Sequence, residues 1–279
     1  MDRTLLGSVA LMFVAMSLIP MGDTAGKLLT TEHGVVPFFV AFSRFAVGAA
    51  MIFVFTGFRV EWRLYRDWRV WLRAALVAGG IAAIMTALRT EPIATVFGAF
   101  FVGPLFSYVL SALFLGETVT RVQTLMLLAG FGGVLLVVQP GTGGAGLWLA
   151  VLAGLFYGGY LTMSRWLRDL AGPRQLMLTQ TALGTLLLAP LGAWQLPVFD
   201  GTVTGLVLFS GVASASGNLL LVVAYRRTGA TILAPLVYFQ LISATVLGLI
   251  VFDTFPKPLA LVGLAVLVAA GVGTVLLKR

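Results

Sequence analysis

Residues 90–123 read T-E-P-I-A-T-V-F-G-A-F-F-V-G-P-L-F-S-Y-V-L-S-A-L-F-L-G-E-T-V-T-R-V-Q, and an apolar run follows to Val138. Two long apolar segments are therefore separated by Gly116-Glu117-Thr118 and Arg121. The first is interrupted by Gly98, Gly103 and Pro104. The same design returns at Thr228–Leu277, where Pro235 sits inside the first run and Asp253-Thr254 separates the two. The offset is roughly half of the 279 residues, so the chain reads as an internal duplication, residues 1–140 and 145–279.

Composition sets the class. The chain is 59% hydrophobic and 10% charged, against about 25% charged in soluble domains. It has no cysteine and one histidine, His33, so neither a disulfide nor a cysteine or histidine metal cluster is expected. A net charge of +8 can signal nucleic acid, but here the basic residues punctuate apolar runs, which points to membrane topology. The expected partners are a lipid bilayer and a small organic substrate, with no nucleic acid, cofactor or metal. A homodimer stays open.

A helix needs about 20 apolar residues to cross a bilayer. Ten candidates lie near 4–24, 36–57, 69–89, 92–115, 120–138, 146–167, 174–194, 203–223, 229–252 and 258–277. The first resembles a signal peptide in length but lacks a clear small-x-small cleavage site, and is read as a retained span. With the N-terminus in the cytoplasm, 14 Lys and Arg fall inside, 3 outside, and Arg44 lies within a span. That asymmetry predicts an all-α polytopic protein of the cell (inner) membrane, with both termini inside. Five spans per half invert the second half relative to the first. Inverted repeats share a site near the bilayer midplane, and rocking about it gives alternating access.

Arg44 stands about eight residues into the second span, roughly 12 Å below its outer end. A central arginine is costly in lipid, so it should face the bundle interior and be paired. Asp23 is the nearest acidic partner. The pair reads either as a substrate-binding or gating group or as a structural tie between spans one and two. Asp23 and Lys27 share a helix face at i and i+4, as do Glu117 and Arg121 at the inner corner, and each pair can gate or merely fix the local structure. Other candidates for a substrate cavity are Phe100, Tyr157, Tyr160, Asn218, Tyr238 and Gln240. Tyrosines offer a flat apolar face and one hydroxyl, and a buried amide must find partners in hydrocarbon. Interhelical hydrogen bonding is the plainer explanation of the amides. Gly103, Pro104 and Pro235 are expected helix breaks, since a mid-helix proline removes a backbone bond. Most other glycines read as close-packing positions.

These residues resemble a known family. L-R-T-E-P-I-A-T-V-F at 88–97, then P-L, then L-F-L-G-E-T-V at 113–119 and the Gly-rich helix after it, are similar to the drug/metabolite transporter superfamily, EamA type. D-T-A-G-K-L-L at 23–29, F-S-R at 42–44, A-T-I-L-A-P-L-V-Y-F-Q at 230–240 and F-D-T-F-P at 252–256 resemble its branch that includes bacterial S-adenosylmethionine transporters. The resemblance implies ten helices in two inverted EamA repeats, a central cavity, and secondary transport without ATP. Independently, no Walker-type G-x-x-x-x-G-K-[ST] is present. Two departures stand out: Asp253-Thr254 replaces Gly116-Glu117 in the second half, and span three carries Ile81-Ala82-Ala83-Ile84-Met85 where aromatics would be sought. The leading expectation is a secondary carrier of small organic metabolites, for export or exchange. The alternatives are a carrier of S-adenosylmethionine or a related nucleoside-like cation, and a channel. An enzyme is not expected, because no nucleophile–base or metal constellation is visible.

Overall fold

The computed structural model describes residues 3–115, 121–139, 144–167, 169–227 and 234–276. Among them are the α-helices α1 (Arg3–Thr31), α2 (Pro37–Phe55), α3 (Trp68–Leu88), α4 (Ile93–Phe100), α5 (Val102–Phe114), α6 (Arg121–Val138), α7 (Ala145–Trp166), α8 (Pro173–Gly192), α9 (Gly201–Arg227), α10 (Phe239–Phe252) and α11 (Pro258–Leu276). Two 3-10 turns, Trp62–Arg66 and Ala234–Tyr238, precede α3 and α10. No strand occurs among the described residues. Six segments are long and apolar enough to span a membrane, α4 and α5 together forming one of them, and the described parts of α6, α10 and α11 are shorter apolar helices. The protein is an all-helical, polytopic membrane protein.

Helix termini follow from the local sequence. Pro37 and Pro173 open α2 and α8, where a missing N–H costs nothing and the fixed φ suits the helix. Asp67 caps α3, its carboxylate accepting from the Arg69 amide at 2.9 Å. Asp253, left-handed at φ 49°, ends α10.

The fourth span shows how a proline acts at a distance. Gly103-Pro104 marks the expected break, yet the interruption falls at Phe101, between α4 and α5, and Pro104 lies in the first turn of α5. Pro104 has no N–H to donate to the Phe100 carbonyl, so the ladder opens upstream of the ring. The Phe100 carbonyl turns toward α7, where a Cβ on Gly154 would lie 2.5 Å from its oxygen. One turn on, a Cβ on Gly158 would lie 2.5 Å from the Gly103 carbonyl. Gly154 and Gly158 form a G-x-x-x-G face that admits the broken backbone itself. The expected break at Pro235 falls in the 3-10 turn Ala234–Tyr238, which takes the place of the first helical turn of α10.

Helix packing carries the duplication. Take α4 with α5 as the fourth span and the 3-10 turn with α10 as the ninth. The most extensive pairing, α1 on α9, then has α7 on α3 as its counterpart when the halves are exchanged. Likewise α2 on α9 answers to α8 on α3, and α1 on α10 answers to α7 on α4 and α5. The pairs α2·α8 and α6·α11 map onto themselves. The last crossing is glycine on glycine, since a Cβ on Gly133 or Gly263 would meet the other's carbonyl at 2.9 or 2.6 Å. With an odd number of crossings in each half, this exchange is an inversion.

Candidate functional site

A central cavity enclosing about 960 Å³ of empty space, mouth included, opens between α1–α4 and α7–α10. No described residue of α6 or α11 lines it. Those two helices pack on each other, and among the described residues every span but the fifth and tenth contributes to the cavity.

Its polar wall is built on the Asp23–Arg44 ion pair, whose side chains are each 4% exposed. Arg44 Nη1 meets Asp23 Oδ1 and also approaches the Met85 sulfur at 3.6 Å. Arg44 Nη2 donates to Ser214 Oγ on α9 at 2.8 Å. Arg44 Nε is buried with no hydrogen-bond partner among the described residues. The arginine thus joins α1, α2 and α9 at the cavity wall, and its charge is balanced on the spot, as a buried cation requires. The i,i+4 contact expected between Asp23 and Lys27 is not made, because Asp23 turns to Arg44. Lys27 instead donates to the backbone carbonyls of Leu88 at 2.5 Å and Glu91 at 2.7 Å, with its ammonium 5.2 Å from the Phe252 ring centre. It thereby ties α1 to the α3–α4 turn and to α10.

Another part of the lining is aromatic. Phe97 and Phe100 pack at 6.4 Å, Phe100 and Tyr157 at 4.9 Å, and Tyr157 and Tyr160 at 5.6 Å between ring centres. The ladder ends on Arg73, whose guanidinium carbon lies 4.8 Å from the Tyr160 ring centre. Arg73 donates through Nε to Ser164 Oγ at 2.8 Å, through Nη1 to the Leu176 carbonyl at 2.9 Å and through Nη2 to Tyr160 Oη at 3.2 Å. Tyr160 Oη in turn donates to Gln180 Oε1 at 2.9 Å. A second chamber, beside Arg73 and Ser164, shares Tyr157, Tyr160, Met177, Gln180 and Asn218 with the first. It continues the cavity toward the arginine-rich face that the charge count assigns to the cytoplasm.

Of the residues singled out from sequence, Arg44, Phe100, Tyr157, Tyr160, Asn218 and Gln240 line the central cavity, and so does Asp23. Asn218 donates to the Ser214 carbonyl one turn back at 2.9 Å. Tyr238 does not reach the cavity; its ring packs 5.1 Å from Phe101. Glu117 lies outside the described residues, and Arg121 is exposed at the start of α6. Gly103 is buried at the α5–α7 crossing rather than in the cavity. Gln180 and Arg73 are not singled out by the sequence pattern. Gln180 carries the same signal as Asn218 and Gln240, an amide inside an apolar span. Arg73 reads in sequence as one more loop arginine, because it stands only five residues into α3. No group of three or more metal-ligating side chains occurs among the described residues.

Comparison with known proteins agrees with this architecture. The model of the EamA-like transporter family matches twice, over residues 5–139 and 144–277. Similar proteins include a riboflavin transporter of Rhizobium johnstonii, 27% identical over 75% of this chain and 70% of its own. A riboflavin transporter of Brucella anthropi is 26% identical over 67% of this chain and 68% of its own. An uncharacterized transporter of Helicobacter pylori is 26% identical over 70% of each. A solved crystal structure shares the fold with a TM-score of 0.68, covering 98% of both chains at 18% identity. Two family matches spanning nearly every residue, on a bundle whose packing repeats between its halves, make this chain a member of the EamA-like transporter family and a multi-pass membrane transporter.

Proposed function

We propose that the protein is a secondary carrier, working by alternating access, that exports or exchanges a small, flat, polar organic metabolite. The observation that carries this is the meeting of two unlike groups in the lining of one cavity: the Phe100–Tyr157–Tyr160 ladder and the Asp23–Arg44–Ser214 network. An aromatic ladder offers stacking surface to a planar ring. The polar groups of the same lining, with Asn218, Gln180 and Gln240, suit the heteroatoms along a ring edge. A flavin or a nucleoside-like molecule has this shape, and the riboflavin transporters among the relatives lend support to the first. Asp23 and Arg44 neutralise each other, which favours a neutral cargo over the S-adenosylmethionine-like cation.

The pairing of an outer side tied together by Lys27 with a chamber continuing to the inner face supports an inward-facing conformer. The inverted packing supports an exchange of roles between the halves as the site opens to the other side.

The test is counterflow in proteoliposomes, with riboflavin, a nucleoside and S-adenosylmethionine as trial substrates. Saturable uptake that is accelerated by substrate on the far side, and lost in Tyr157→Ala, is the expected result. An ohmic, unsaturable conductance would favour a channel and overturn the carrier. Saturable uptake of the sulfonium alone would keep the carrier and overturn the cargo class.

A further inference from the structure

We infer that the cytoplasmic face carries a built site for the headgroup of an anionic phospholipid, in the recess between the α2–α3 connection and the end of α7. The recess is lined by Arg63, Arg66, Asp67, Trp68, Arg69 and Trp166. The general rules for membrane proteins ask only that arginines lie on this side and that tryptophans lie near the interface. Here both kinds of residue converge on one shallow, widely open patch.

The convergence has a local cause. Leu64 is buried and pins the 3-10 turn Trp62–Arg66, and the Tyr65 carbonyl accepts from Trp71 Nε1 at 2.8 Å. The turn therefore presents Trp62, Arg63 and Arg66 outward, while Trp68 and Trp166 meet edge to face at 6.0 Å and remain 62% and 47% exposed. Residues 57–73 hold five arginines against two acids, Glu61 and Asp67.

The two acids are not equivalent. Asp67 is gripped by Arg69 through contacts of 2.6–3.1 Å, and Arg69 lies over the Trp166 ring at 5.6 Å. Those two charges cancel inside the recess. Glu61 meets Arg63 at 3.1 Å in an exposed pair, of a kind worth little and readily exchanged. Arg63 and Arg66 are thus left to grip a phosphodiester, for which planar guanidinium groups are well suited. The indole walls match the glycerol and first methylenes of a lipid, apolar on one side and wet on the other. A zwitterionic headgroup would bring an ammonium onto a net positive patch, and a free phosphate would leave the indoles uncovered.

The α2–α3 connection that carries the site also meets α8 beside the inner chamber. Gln175, in the first turn of α8, donates from Nε2 to the Arg59 carbonyl at 2.9 Å and accepts from the Glu61 amide at 3.3 Å. Its neighbours Pro173 and Leu176 line the inner chamber. A lipid seated in the recess therefore braces the connection that leans on the chamber mouth.

The test is lipid retention by the delipidated full chain in detergent, read by native mass spectrometry during titration with phosphatidylglycerol or phosphatidylcholine. Phosphatidylglycerol is expected to be retained preferentially. Arg63→Gln/Arg66→Gln should weaken it about 30-fold, or about fivefold per arginine. Trp68→Ala should weaken it by itself, and Arg121→Gln, an exposed arginine away from the recess, should leave it unchanged. Equal retention of phosphatidylcholine, unaltered binding by the double variant, an equal loss in Arg121→Gln, or displacement by excess water-soluble glycerol phosphate would each overturn the inference.

Discussion

Replacing Arg44 by methionine should be among the most damaging single substitutions in the cavity wall. It removes a cation that is 4% exposed and leaves the equally buried Asp23 carboxylate without its partner. It also takes the donor from Ser214. Breaking one side of a buried ion pair costs about 3–5 kcal/mol, chiefly because the remaining charge is stranded. Removing both charges is much less costly, since an apolar replacement of similar size restores balance. Arg44→Met should therefore lose about 3–5 kcal/mol of stability, while Asp23→Asn/Arg44→Met should recover most of it. Reversible unfolding by sodium dodecyl sulfate in mixed micelles measures both, and proteoliposome flux on the folded fraction measures function. If the pair only holds α1, α2 and α9 together, the double variant transports. If Arg44 also meets substrate, the double variant folds and fails to transport. An Arg44→Met protein as stable as the parent would refute the reasoning, because a stranded carboxylate in this position cannot be neutral in cost.

Gly158→Ala should lower folded yield sharply, since the new Cβ would press to 2.5 Å on the Gly103 carbonyl, a backbone atom that cannot swing aside; a loss of about 1–3 kcal/mol is expected, with Gly132→Ala, which meets nothing within 4 Å, as the unaffected control in the same unfolding assay. Lys27→Met releases two carbonyls at the outer end. As the chain has no cysteine, a Thr181→Cys probe in the cavity can be labelled cleanly, and it should react with an impermeant outside reagent faster in the Lys27→Met background than alone. Arg69 holds the Asp67 carboxyl below the usual carboxylate range, chiefly by its side-chain hydrogen bond. A carboxyl with a lowered folded value contributes stability that is full above the unfolded value and is lost as the pH falls through the folded one. Thermal unfolding of Asp67→Asn should thus trail the parent at neutral pH, and the gap should close only below the ordinary carboxylate range.

Class and duplication are legible in the chain before it folds, because each rests on a one-dimensional quantity. Apolar run length marks the spans, arginine counts between them assign sides, and the offset between the runs at Thr90–Val138 and Thr228–Leu277 exposes the repeat. The sequence also marked much of the cavity, since Arg44, Asn218 and Gln240 are polar groups that hydrocarbon does not tolerate without a partner. The choice among partners belonged to the tertiary structure. Spacing allowed Asp23 to face Lys27 on its own helix, but helix packing brought Arg44 and the Leu88 and Glu91 carbonyls closer, and each charge took the neighbour that fitted best. Packing likewise carried Tyr238 onto Phe101 and away from the cavity, and moved the break heralded by Gly103-Pro104 upstream to Phe101, where Gly154 leaves room for the freed carbonyl. Arg73 shows the limit most clearly. Nothing in its local sequence separates it from the arginines before it, and only the approach of α7 and α8 turns it into the end of the aromatic ladder.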